Sequence, residues 1–173
     1  MKKFVFGFLC FCFWVLPVYS FTLKGGVTFT VESARKEAFA DVEYSLPKNI
    51  IDANRIDPNF EDNKVLIKNG VKETGDRFIG YFADGGYEIV YKNNLFFEYY
   101  YNPDGTLEHI AKREKLSFPL KVFKYSTDGK LLRVVLSISK DDAYIFFPNG
   151  QLESHWIGNK EFDINGKIIN RRF

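Results

Sequence analysis

The sequence predicts a mainly β protein: an antiparallel meander of repeated β-hairpins with one N-terminal α-helix packed on the sheet. Three observations predict it. An Asp-Gly or Asn-Gly pair recurs five times, at Asp84-Gly85, Asp104-Gly105, Asp128-Gly129, Asn149-Gly150 and Asn165-Gly166. An aromatic residue stands four before each glycine (Tyr81, Tyr101, Tyr125, Phe146, Phe162), and Tyr87, Leu107, Leu131, Leu152 or Ile168 stands two after it. Aromatics make up 18% of the chain and long helical stripes are scarce, a composition suited to a pleated, half-buried surface.

The turn chemistry explains the spacing. In Asn102-Pro103-Asp104-Gly105, proline presets the second turn position, Asp tolerates the third, and Gly supplies the positive φ that follows. A type I turn followed by a left-handed glycine closes a three-residue hairpin loop with a bulge, so the strands resume three before and one after the glycine. The residues four before and two after the glycine then face each other, so Tyr101 opposes Leu107, Tyr125 opposes Leu131 and Phe146 opposes Leu152. The reverse face takes the position three after the glycine, which is Glu88, Glu108, Leu132, Glu153 and Ile169.

From the N-terminus, Met1 to Ser20 has the form of a secretory signal peptide: Lys2 and Lys3, an apolar run from Phe4 to Leu16, then Val18 and Ser20 around a cleavage site. The run is shorter than the ~18 apolar residues a membrane span requires. Both cysteines, Cys10 and Cys12, leave with it, so disulfides, thiol catalysis and cysteine metal sites are excluded from the exported product. Removing Lys2 and Lys3 leaves 22 basic against 22 acidic residues. With no basic excess, nucleic acid is not an expected partner.

Residues 21–77 read as a strand, a helix and loops, forming one domain with the hairpin repeats of 78–173. Val27 to Val31 alternates as a short strand. Ala34, Ala38, Phe39 and Val42 then make a helical stripe, capped by Thr30 and ending near Ser45 before Pro47. Its expected place is on the apolar face of the sheet. Lys48 to Arg77 reads as loops around a short strand from Val65 to Lys68, with Asn69-Gly70 as a degenerate sixth turn. Its acidic residues, among them Asp52 and Asp57, lack the fifth-position ligand and glycine of a calcium loop, and read as solvated.

The stretch Phe147-Pro148-Asn149-Gly150-Gln151-Leu152-Glu153, followed by Trp156-Ile157-Gly158-Asn159 and Phe162-Asp163-Ile164-Asn165-Gly166-Lys167, resembles MORN-variant (YwqK-like) repeats of exported bacterial proteins and antitoxins. A more distant likeness, carried by Tyr99-Tyr100-Tyr101-Asn102-Pro103-Asp104-Gly105, is to choline-binding and glucan-binding cell-wall repeats. The resemblance covers about the last 100 residues and implies binding or scaffolding, with no catalytic residues to carry over.

No catalytic constellation, metal set or cofactor motif stands out. By the pairing above, His109 shares the core face with Tyr99 and Leu107, while His155 points to the opposite face beside Glu153, so the two do not converge. Glu108 and Glu153 hold equivalent positions in the manner of a glycosidase carboxylate pair, but strands of neighbouring hairpins lie too far apart for that chemistry unless the sheet is rolled. Phe96 and Tyr100 belong to the run Phe96-Phe97-Glu98-Tyr99-Tyr100-Tyr101, which puts rings on both faces of one strand. The residues expected to meet a ligand are therefore Phe96, Tyr100, Glu108, Glu153 and His155. The expectation is a non-catalytic, exported binding or scaffold protein of the bacterial envelope, with a protein or a cell-wall glycan as partner. An envelope-glycan hydrolase and an antitoxin- or immunity-like protein are the alternatives.

Overall fold

A computed structural model describes residues 21–22 and 28–171. The expected leader and both cysteines lie outside them. A two-residue pair, β1 (Phe21–Thr22) with β2 (Thr28–Phe29), precedes helix α1 (Val31–Ala38), and two further helices follow, α2 (Lys48–Ala53) and α3 (Phe60–Lys68). Ten strands then run to the end of the described chain: β3 (Arg77–Tyr81), β4 (Tyr87–Tyr91), β5 (Phe97–Tyr101), β6 (Leu107–Arg113), β7 (Leu120–Tyr125), β8 (Leu131–Ser139), β9 (Asp142–Phe146), β10 (Leu152–Ile157), β11 (Lys160–Asp163) and β12 (Ile168–Arg171). They form one antiparallel sheet in sequence order, the mainly β meander that the turn spacing predicts.

All five turns close the same way. The glycine N–H donates to the carbonyl three residues back, as from Gly105 to Asn102 (2.9 Å) and from Gly150 to Phe147 (2.9 Å), and every turn glycine has positive φ. The predicted cross-strand pairs are all present: Tyr81 with Tyr87, Tyr101 with Leu107, Tyr125 with Leu131, Phe146 with Leu152 and Phe162 with Ile168. In the central hairpins these rings form the core: Tyr101, Tyr125 and Phe146 are buried, while Phe162 and Ile168, toward the far edge, are half-buried. Because every second connection is such a turn, the five glycine turns all lie at one end of the sheet.

The helices cover one face of the sheet and are fastened at that end. Thr30 and Ser33 form a capping box that starts α1, whose Ala34 and Ala38 are fully buried against the sheet. The loops between helices bond to the hairpin turns. Leu46 N–H donates to Gly129 O (2.8 Å) and Leu131 N–H to Tyr44 O (2.9 Å); Asp57 N–H donates to Gly105 O (2.8 Å) and Leu107 N–H to Arg55 O (2.9 Å). Core tyrosines add further ties, with Tyr125 donating to Glu43 O (2.9 Å) and Tyr144 to Phe29 O (3.3 Å). Buried tyrosine hydroxyls usually find a partner; Tyr125 and Tyr144 take theirs from the helical layer, whereas the buried hydroxyls of Tyr81 and Tyr101 have none among the described residues.

Several expectations for residues 28–77 are corrected. Among the described residues of the expected strand, Thr28–Phe29 alone pair as a strand, because Thr30 caps α1 and Val31 already belongs to it. That helix stops at Ala38, not near Ser45, since residues 44–46 bond to the Gly129 turn and cannot also continue a helix. Val65 to Lys68 is the last turn of α3, not a strand. A short apolar run does not distinguish the two, and packing of Phe60, Leu66 and Ile67 on the core decides it. Asn69-Gly70 ends that helix rather than a hairpin: Gly70 has φ +71°, and the N–H of Val71 returns to Leu66 O (3.0 Å). Asp57 is buried instead of solvated. Its carboxylate accepts from Tyr87 Oη (2.7 Å), Asn63 Nδ2 (2.7 Å) and the Asn59 N–H (2.9 Å), and Asn63 in turn accepts from the buried Arg77 (2.8 Å).

Candidate functional site

The geometry of the hairpins decides which side chains reach the face that carries none of the helices. In four of the five hairpins the register slips beyond the aromatic–aliphatic pair. Tyr101 faces Leu107, but Tyr100 faces His109, so Glu108 is an extra residue on its strand. The same β-bulge makes Leu132, Glu153 and Ile169 extra. A bulge shifts the two-residue alternation by one, so everything after it changes sides.

Both histidines are therefore on the opposite faces from those expected. His109 sits on the uncovered face, its ring stacked on Tyr100 at 4.0 Å between centroids and 14° between planes. His155 faces the helical layer, stacked on the buried Tyr144 at 3.9 Å, with its Nε2 2.7 Å from Oδ1 of the buried Asp142. The two do not converge.

The uncovered face carries a charged cluster around Tyr100 and His109. Tyr100 donates to Glu98 (2.9 Å), which is also paired with Arg113, and the ring of Phe82 stacks parallel to Tyr100 at 6.0 Å. Across the sheet, Glu98 faces Ala111, Ala111 faces Lys124, and Lys124 faces Arg133. Arg133 is held by both carboxylate oxygens of Glu153 and lies 4.6 Å over the Phe147 ring. Lys124 differs from its neighbours. Its ammonium lies 5.6 Å over the Tyr100 ring, and among the described residues it makes no hydrogen bond or ion pair.

No family model, curated protein or solved structure matches the chain.

Burial sets the electrostatics of this cluster. It pushes the His109 imidazole down to about 4, and the Lys124 charge pushes the same way, so the ring is neutral at pH 7. His109 Nε2 is enclosed without a partner, and Nδ1 stands 3.6 Å from Glu108. Burial raises the Tyr100 phenol, with Glu88 adding to it, and lowers the Lys124 ammonium. Like charges opposed across a strand pair, as Lys124 and Arg133 are, cost stability unless something answers them. For Arg133 that is Glu153; for Lys124 it is the π face of Tyr100 and carboxylates beyond bonding distance.

Of the residues expected to meet a ligand, Tyr100, Glu108 and Glu153 belong to this face. Glu108 and Glu153 are separated by four strand spacings, ~19 Å at the usual interval. Phe96 is exposed, but in the connection between β4 and β5 at the end of the sheet away from the glycine turns. His155 lies on the covered face. His109, Lys124, Arg113 and Arg133 were not among the expected residues, and the bulge that positions His109 leaves no mark in the turn motif. Among the described residues no group of three His, Cys, Asp or Glu side chains could hold a metal ion.

Proposed function

We propose that the protein is an exported, non-catalytic binding or scaffold protein of the bacterial envelope, and that it binds through the uncovered face of its sheet. Lys124 carries the reading: among the described residues it is a half-buried cation without an ion-pair partner, in the middle of a face whose other cations are matched. A bound carboxylate or carbonyl would complete it. The leader-like Met1–Ser20 supports export, and the MORN-variant resemblance of the last 100 residues supports binding.

A protein or peptide partner is favoured over a glycan. Sugars stack on free ring faces, but the Tyr100 ring is already flanked by His109 and Phe82, and its hydroxyl is bonded to Glu98. A retaining or inverting glycosidase needs its carboxylates ~5–9 Å apart, far less than the spacing of Glu108 and Glu153.

A photo-crosslinking residue placed at 122 or 135, beside Lys124 and Arg133 on the same face, and as controls at 36 or 64 on the outer surfaces of the helices, tests this in the producing cell. Adducts are expected from the sheet positions alone; adducts from the helix positions alone, or from neither, contradict it. Wall-glycan turnover by the parent that is lost in Glu108→Gln or Glu153→Gln would contradict the non-catalytic reading.

A further inference from the structure

The two ends of the sheet differ in chemistry. At the glycine-turn end the turns present Asp84, Asp104, Asp128 and Asp163 beside the exposed Phe82 and Ile164, and the loops of the helical layer dock there. At the other end, two neighbouring connections present apolar side chains to solvent: Phe96 (44% exposed) between β4 and β5, and Leu116 and Phe118 (each 53%) between β6 and β7. The connections are adjacent in space, because the Arg113 N–H donates to Phe96 O (2.8 Å). A bond from the Glu114 N–H to Lys121 O (3.1 Å) closes the base of the second, leaving Leu116-Ser117-Phe118 at its tip.

Cations surround these tips. Lys92, Lys112, Arg113, Lys115 and Lys121 all lie on the two connections or the strand ends beside them. Four are matched, by Glu73, Glu43, Glu98 and Glu114 respectively; Lys115, next to Leu116, has no ion pair among the described residues.

We infer that this end of the sheet is a lipid-contact surface, in which Phe96, Leu116 and Phe118 enter the interface of an anionic membrane and Lys115 meets its headgroups. Apolar tips beside lysine suit a headgroup boundary, where rings and aliphatic groups sink and ammonium groups stay in the polar layer. A stable protein interface engages roughly 20–30 residues a side, far more than two loop tips offer. With the other four cations matched, it is the Lys115 charge beside the apolar tips that favours an anionic surface. Contact here would leave the charged cluster on the uncovered face free for its own partner, so this inference stands apart from that reading.

Vesicle flotation tests it, using the exported protein with vesicles of phosphatidylglycerol and phosphatidylcholine, or of phosphatidylcholine alone. Preferential flotation with the anionic vesicles is expected. Leu116→Asp with Phe118→Asp should weaken it at least tenfold, Lys115→Glu severalfold, and Ile164→Asp at the opposite end not at all. Lys124→Glu, on the other face, should also leave it unchanged. Unaltered thermal melts show that the variants remain folded. Absence of flotation, equal flotation with both vesicle types, or a double variant that floats like the parent overturns the inference. So does a parent that self-associates through these residues without binding vesicles.

Discussion

Tyr100 and His109 face each other directly across β5 and β6, their rings stacked at 4.0 Å on the side of the sheet that the helices leave uncovered. Leu107, two residues earlier on the same strand, is in the core. The single extra residue, Glu108, accounts for the difference, and it makes His109 a surface group held almost as tightly as a core one.

Stability should therefore depend on His109 in a definite pH window. Its folded-state value, about 4, lies below the ordinary 6.5, so the unfolded chain takes up the proton first. The contribution is nil above pH 6.5, grows more unfavourable as pH falls toward 4, and levels off below, amounting to on the order of 3 kcal/mol. Urea unfolding of the parent and of His109→Gln across pH 4–7 checks this. The difference between their pH profiles should appear within that window, and parallel profiles would refute the placement.

The turn glycines are not equivalent. Gly158 has φ +61° with open space around it, so Gly158→Ala should cost only the backbone strain, about 1 kcal/mol. At Gly105, φ is +79° and an added methyl would lie 2.5 Å from the Phe60 ring. Gly105→Ala should cost at least about 1 kcal/mol more, as overpacking does. In a Phe60→Ala background that excess should vanish, which chemical denaturation can measure as a coupling energy.

Asp57 links the helical layer to β4. Asp57→Ala would strand the Tyr87 hydroxyl and the Asn63 amide, both buried, and should destabilise by about 3 kcal/mol. Tyr87→Phe removes one donor and leaves the carboxylate two others, so about 1–2 kcal/mol is expected. Equal effects would show that the network does not act as described.

The Asp142–His155 pair serves the covered face. Both are buried, and Asp142 Oδ2 has no further partner. His155→Ala should lower stability by about 3 kcal/mol by leaving a buried carboxylate alone. It should leave crosslinking from position 135 intact once the protein is folded; loss of the adduct in folded His155→Ala would tie this pair to binding instead.

Much of the sheet was legible because turn chemistry is local. Gly105 needs positive φ, Pro103 and Asp104 suit the positions before it, and the pairing of Tyr101 with Leu107 follows from chain geometry. The faces of His109 and His155 were not legible, since the turn chemistry reaches only to the pair two after the glycine, and the extra residue next to it, Glu108 or Glu153, reverses the alternation beyond. The first hairpin, with Gly85-Gly86, runs from Tyr81–Tyr87 to Gly80–Glu88 without one. The helix α3 was missed for a different reason: Val65 and Ile67 have strand propensity, and packing of Leu66 and Ile67 on the core outweighs it. Asp57 read as solvent-exposed because its partner Tyr87 lies thirty residues away.

The placement of His109 is tested most directly by following its ring protons by NMR through a pH titration, in the parent and in Lys124→Met. The account predicts a titration near pH 4 with resonances shifted by the Tyr100 ring. Lys124→Met should move it upward while leaving it below 6.5, because burial is the larger cause and the lysine charge the smaller. A histidine titrating near 6.5, indifferent to Lys124 and to Tyr100→Ala, would place that ring elsewhere and remove the charged cluster on which the binding surface rests.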